Sequence, residues 1–164
     1  MSPAKVHLTQ LREPKGDECT VVSDGSAPST AIGYGAVLVD SEGPFAEVSS
    51  GFVADAPNAW AAEWMGKVLG LHTLMSLAVP RPKVVLCVAN CSSAVVSNKR
   101  AGPSGSPVVD RVWRWFAKTA AARAPVVREA YIPAQHTSKS TSWAACVQQR
   151  AHELAAEGRG NAEP

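Results

Sequence analysis

Apolar positions along this chain fall into two rhythms. The stretch CTVVSDGS, from residue 19, is a short apolar run that stops at Asp24 and a glycine turn. IGYGAVLVDS follows, with Tyr34, Val37 and Val39 supporting a second strand and Ser41-Glu42-Gly43-Pro44 a turn, and FAEVSSGFV makes a third. Three strands at such short spacing predict antiparallel hairpins. The period then changes. In NAWAAEWMGKVLGLHTLMSLA, residues 58–78, Trp60, Trp64, Val68 and Leu71 recur at helical spacing, which predicts an amphipathic helix ended by Pro80 and Pro82. VVLCVA is apolar throughout, as a strand covered on both faces is.

The remainder alternates. NCSSAVVSNKR reads as a short helix and AGPSGSP as a loop. VVDRVWRWFAKTAAAR, residues 108–123, predicts a second long helix with Val109, Trp113, Phe116 and Ala120 as its buried stripe. VVREAYIPA is a fifth strand and QHTSKST a polar loop. A last helix starts near Ser142, with Trp143, Val147, Ala151 and Leu154 on one face and Gly158 as the residue expected to end it. The order β β β α β α α β α predicts an α/β fold, a mixed five-stranded sheet with helices on both faces.

Composition narrows this only slightly. The 164 residues suffice for one core, and 46% apolar with 18% charged residues is ordinary for a soluble globular domain. Residues 1–17 are polar and punctuated by Pro3, Pro14 and Gly16, and are expected to form a flexible leader; the domain then spans 18–158, with a short tail at 159–164. A net charge of +2 announces no overall polybasic character. Cys19, Cys87, Cys91 and Cys146 contain no CxxC pair, which argues against zinc and for buried free thiols. The chain opens with no secretory apolar region, and no apolar run approaches the roughly 20 residues of a membrane span. A reducing, intracellular location and no membrane partner are the expectations.

One junction draws attention. VVLCVANCSS is an apolar strand that breaks off into small polar residues at Asn90. In open α/β sheets, ligands bind in the crevice at such carboxyl ends. Asparagine is neutral, and also a preferred N-cap for the helix that follows.

This element order, with SDGSA after the first strand, GYGAVL in the second, NAWAAEWMGKVLGL on the first helix, VVLCVANCSS at the fourth strand and IPAQHTSKSTSWAACVQQRAHELA at the end, resembles the ribonuclease H family. The likeness covers residues from about 19 to 157, and the long spacing from His136 to position 152 on the last helix is similar to that of retroelement and retroviral members. The resemblance implies a nuclease that cuts the RNA strand of RNA–DNA hybrids with Mg²⁺ or Mn²⁺. Two divalent ions about 4 Å apart supply the nucleophile and relieve charge on the leaving oxygen. Mg²⁺ takes hard oxygen ligands, so several carboxylates must converge. The family's four positions carry over here as Asp24 on the first strand, Glu63 on the first helix, Asn90 at the end of the fourth strand and His152 on the last helix. Two of the four are acids. Asp24 and Glu63 then remain as metal ligands, while Asn90 and His152 stand where the family has Asp.

Each position has a plainer alternative. Asp before Gly forms turns. Glu63 stands four residues before Lys67, a spacing that pairs charges on an exposed helix face. His152 fits an ordinary polar face, and Glu153 beside it lies about 100° around the helix and cannot substitute. Against the +4 of two Mg²⁺, Asp24 and Glu63 offer −2, so the two-metal reaction is expected to be weakened or lost. His136 matches a family loop histidine that assists as general acid or base, or is simply a solvent-exposed loop residue. Arg111, Arg114 and Lys118 form a basic row opposite the Trp113/Phe116 stripe that tracks phosphates or is merely solvated. Ser26, Asn98 and Thr137 are further candidate contacts to a nucleic-acid backbone. The leading expectation is a retroelement-derived, ribonuclease H-like nucleic-acid-binding domain, with an RNA–DNA hybrid as partner and the reverse-transcriptase domain of the same polyprotein as another. The alternatives are an active metal-dependent nuclease and a protein-interaction scaffold.

Overall fold

A computed structural model describes residues 4–5, 11–54, 59–77, 82, 84–89, 110–112, 114–115, 126–131 and 143–163. Six strands form one sheet: β1 (Ala4–Lys5), β2 (Glu18–Ser26), β3 (Ala31–Asp40), β4 (Gly43–Val53), β5 (Val84–Ala89) and β6 (Val126–Tyr131). Two helices complete the described elements, α1 (Ala59–Leu77) and α2 (Trp143–Ala162). The sheet order is β1-β6-β5-β2-β3-β4. The hairpin strands β2, β3 and β4 pair antiparallel, while β2–β5, β5–β6 and β6–β1 pair parallel. This is the mixed sheet expected from the order of elements.

The sheet has one strand more than the sequence predicts. Ala4–Lys5 pairs with Ala130–Tyr131, and Leu11 is buried against Val22, Val37 and Val88. Part of the expected flexible leader therefore belongs to the folded unit. A two-residue edge strand pairs through its backbone alone and leaves no alternation to read.

Strict alternation distributes the core. Val21, Ala36, Leu38, Val85 and Cys87 face one way, with Leu71 and Leu74 of α1. Val22, Val37, Val39 and Val88 face the other way, onto Ala144, Val147, Ala151 and Leu154 of α2. Helices thus cover both faces, and the all-apolar reading of β5 follows from that.

α1 departs from the amphipathic expectation. Trp64, Val68 and Leu71 are buried as predicted, but so is every residue from Ala61 to Val68. Small residues bring one side close to the sheet: a Cβ on Gly70 would lie 2.5 Å from Val21 Cγ1. The other side is covered too. Residues 110–112 and 114–115 are helical, Val112 packs against the cluster of Trp64, Met65 and Val68, and the Trp115 ring meets His72 edge-on at 4.9 Å. The rest of the predicted second long helix, and the short helix and loops around it, lie outside the described residues.

α2 runs past its expected end. Gly158 lies inside it and is buried, and its absent Cβ would fall 2.7 Å from the Ser50 carbonyl carbon of β4. This glycine permits close approach and does not cap the helix. The predicted tail at 159–164 is therefore largely helix.

Candidate functional site

β2 positions the first site residue by alternation. Val22 faces α2, so Asp24 and Ser26, two and four residues on, share that face. Each meets a side chain from α2. His152 Nδ1 lies 2.9 Å from Asp24 Oδ2, and Arg159 Nη1 donates to Ser26 Oγ at 2.7 Å. An ionised carboxylate only accepts, so with Asp24 ionised the hydrogen of the first contact is carried by His152 Nδ1. The second oxygen, Asp24 Oδ1, accepts from the Gly25 N–H at 2.9 Å. Asp24 is 2% exposed, whereas the His152 side chain is 60% exposed. The imidazole therefore covers a buried carboxylate from the solvent side.

Glu63 approaches from the other face. Gly25 alternates onto α1, where an added Cβ would lie 2.7 Å from Ala62 Cβ, and one on Gly66 would lie 2.9 Å from the Asp24 carbonyl oxygen. The backbone around Asp24 and the first half of α1 are thus in contact. Glu63 and Lys67 are 6% and 1% exposed, so neither sits on the solvated helix face that the plain charge-pairing alternative requires. Lys67 was not among the sequence candidates. Only its spacing from Glu63 hinted at it.

β5 ends at Ala89, with Val88 in register beside Val22. Asn90 itself lies outside the described residues, as do His136, Asn98, Thr137 and Lys118. Arg111 and Arg114 are both exposed on their helical segment. Glu153 turns away from the site, as the helical angle requires, and shares Arg150 with Glu47 of β4, at 3.3 and 2.7 Å. These hydrogen bonds raise the pKa of the exposed Arg150 guanidinium further above its ordinary value.

Sequence reasoning missed Arg159. Seven residues separate it from His152, which returns it to the same helical face about 10 Å further along. That spacing was available, but a helix thought to end at Gly158 hid it.

The donor set does not fit a pair of Mg²⁺ ions. Both Asp24 oxygens are engaged, one by the Gly25 N–H and the other by His152, which stands where the resemblance places an acid. Imidazole nitrogen suits transition metals better than Mg²⁺. Among the described residues, no three His, Cys, Asp or Glu side chains are grouped closely enough to hold a metal ion.

The three-stranded antiparallel hairpins, the parallel β5 and β6, and helices on both faces with Asp24 at a strand end define a ribonuclease H-like α/β fold. Solved structures agree over nearly the whole chain. An N-terminal ribonuclease H domain from Mycobacterium tuberculosis superposes with a TM-score of 0.64 at 16% identity, covering 88% of this chain and 95% of that one. A ribonuclease H1 isolated from compost, solved with an RNA/DNA hybrid, gives 0.64 at 20% identity, covering 88% and 98%. The prototype foamy virus protease–reverse transcriptase gives 0.69 at 16% identity, covering 92% of this chain and 22% of that one. At these identities the likeness defines the fold alone. No family model and no curated protein matches the sequence. Among the described residues, no helix is long and apolar enough to cross a membrane.

Proposed function

We propose that this chain is a nucleic-acid-binding domain of ribonuclease H-like fold in which hydrolysis of RNA–DNA hybrids is weakened or lost. The observation that carries the reading is the 2.9 Å contact between His152 Nδ1 and Asp24 Oδ2. A carboxylate oxygen that a metal-dependent hydrolase needs for its cation is here bonded to an imidazole on a neighbouring helix. Bound Mg²⁺ or Mn²⁺ would supply an activated water and charge relief at the scissile phosphate, and Asp24 and Glu63 are the residues of this chain that would hold it. Their charge of −2 falls short of a two-ion site. The binding side of the reading rests on candidate contacts. Ser26, Arg111 and Arg114 are described, and Asn98, Lys118, His136 and Thr137 are the proposed further contacts. The compost enzyme solved with a hybrid supports a hybrid as ligand, and the foamy virus protein supports a retroelement origin beside a reverse-transcriptase domain.

The test is a labelled RNA–DNA hybrid with the parent, Asn90→Asp, His152→Asp and the double variant, in Mg²⁺ and in Mn²⁺. The parent is expected to bind without appreciable cutting. The double variant restores a −4 cluster and is expected to gain Mg²⁺-dependent cleavage, with each single change giving much less, because ligands of one cluster act as a unit. A parent that cuts at the rate of an intact ribonuclease H would overturn the reading in favour of a working nuclease with an altered ligand set. A parent that binds no nucleic acid would leave the scaffold alternative.

A further inference from the structure

α2 meets the end of β2 at two rungs, and only one of them falls on the family's acid positions. The second joins Arg159 to Ser26, with Nη1 to Oγ at 2.7 Å. Three observations make it a built feature. Arg159 sits directly over Gly33 of β3, where an added Cβ would lie 2.6 Å from Arg159 Cβ. A side chain at position 33 would lift the arginine stem off the sheet. Its Nε is buried and makes no hydrogen bond among the described residues; it pairs only loosely with Glu163 Oε1, 3.7 Å away on a half-exposed side chain. Finally, the Arg159 side chain is still 30% exposed. A guanidinium carries five N–H donors in a fixed plane, and one of them is used by Ser26.

We propose that Arg159 is a phosphate-binding residue, held by Ser26 and Gly33 at the rim of the Asp24–His152 site and aimed at the sugar-phosphate backbone of the bound strand. This rests on the nucleic-acid-binding reading above. Arginine suits the task because its planar fork matches phosphate oxygens bidentately, and because its orientation is already fixed before the ligand arrives. Along the shared face of α2, His152 and Arg159 stand about 10 Å apart by helical rise. They therefore touch a strand at separate points, so a docked backbone is fixed in direction as well as in place. Glu163 and Ser26 are the charged and polar partners that face the guanidinium.

The plain alternative is that Arg159 only favours the helix end, where a cation in the last turn is stabilising. Arg159→Lys, Arg159→Met and Ser26→Ala separate the two. Each is titrated with a labelled RNA–DNA hybrid by fluorescence anisotropy between 50 and 200 mM salt, beside urea unfolding of the free protein. Arg159→Met is expected to lose about tenfold in affinity, and to flatten the salt dependence of log affinity by about 0.9, the contribution of one neutralised phosphate. Arg159→Lys is expected to keep the slope and lose several-fold in affinity, since the charge stays and the fork goes. Ser26→Ala is expected to weaken binding with the slope unchanged. Arg159→Met with the parent's affinity and slope would overturn the proposal, whatever its urea midpoint. If the parent itself binds no hybrid, the binding reading falls with it; if the parent binds and Arg159→Met is silent, only this inference falls.

Discussion

Two glycines in α2, two residues apart, are expected to respond to the same substitution with opposite signs. Alanine is favoured over glycine in a helix interior by about 1 kcal/mol, so propensity alone favours both Gly158→Ala and Gly160→Ala. Surroundings separate them. A Cβ at Gly160 meets nothing within 4 Å. A Cβ at Gly158 lies 2.7 Å from the Ser50 carbonyl carbon and 3.0 Å from the Ser50 nitrogen, against backbone that cannot rotate aside. Relief requires α2 to lift off β4 by about 1 Å, since ordinary carbon contacts begin near 3.5 Å. That displacement loosens the packing of Leu154 and Ala155 and strains the 2.7 Å bond from Ser49 Oγ to the Leu154 carbonyl. Overpacking of this kind costs about 1–3 kcal/mol, and a backbone clash belongs at the upper end. Subtracting the propensity gain leaves Gly158→Ala destabilised by about 2 kcal/mol, while Gly160→Ala gains about 0.5–1 kcal/mol, less at a frayed end. Urea unfolding reads both. With a slope of about 2 kcal/mol/M, the midpoint falls by about 1 M in the first variant and rises slightly in the second. A Gly158→Ala protein as stable as the parent would refute the close packing of α2 on β4, and with it the spacing on which both polar rungs depend.

Three further outcomes follow from burial and charge. Lys67→Ala is expected to cost about 2–4 kcal/mol in urea unfolding because the side chain is almost fully buried, whereas an exposed lysine would cost under about 0.5 kcal/mol; a negligible loss would contradict its placement. In the folded protein a maleimide or iodoacetamide is expected to label the exposed Cys146 well before Cys19, whose thiol is buried and has its pKa raised by burial first and by Asp40 second, so that less thiolate is present at any given pH; peptide mapping showing the reverse order would count against it. Replacing Arg111, Arg114 and Lys118 together by Ala is expected to weaken hybrid binding and flatten its salt slope without lowering the urea midpoint, and an unchanged slope would mark that face as merely solvated.

The parts of the fold legible in the sequence are those set by side-chain period. β2 to β6 and both helices announce themselves in the spacing of their apolar residues, clearest where a repeating set is buried, as in β2, β3 and α2, and the mixed sheet follows from their order. What stayed hidden depends on backbone or on proximity. β1 carries two residues and pairs by main chain alone. The all-round burial of Ala61–Val68 on α1 arises with a second layer over its outer side, where Val112 packs, which the periodicity of its own residues cannot report. Gly158 reads as a stop because glycine commonly follows a helix, yet here it serves contact with β4, which local sequence does not contain. The candidate site divides the same way. Asp24 and Glu63 are candidates through the resemblance of the motifs around them, SDGSA and NAWAAEWMGKVLGL. The partnership of Asp24 with His152 crosses 128 positions and comes only from how α2 lies on the sheet.

How α2 lies on the sheet also decides what a shorter side chain at position 152 would do. The helix is pinned on both sides of His152. Before it, Gln148 Nε2 reaches the Ser23 carbonyl at 3.4 Å; after it, Leu154, Ala155 and Gly158 lie against backbone of β3 and β4. Gly35 takes part in this, since a Cβ there would fall 2.5 Å from Leu154 Cβ. A helix held at backbone distance by glycines cannot follow a side chain inward. His152 closes the gap to Asp24 with the length of an imidazole, and His152→Asp removes that length without moving the helix. The carboxylate introduced there would stop short of Asp24 and leave a water-accessible space between two like charges. Repulsion across it is expected to lower the melting temperature of His152→Asp, and added Mg²⁺ to restore it, because a cation in that space neutralises both oxygens. If the helix were free to close, the variant would bury the two acids against each other and Mg²⁺ would have no entry. A melting temperature indifferent to Mg²⁺ up to millimolar concentration would therefore show that the site's geometry, and not only its charge, has moved away from holding a metal.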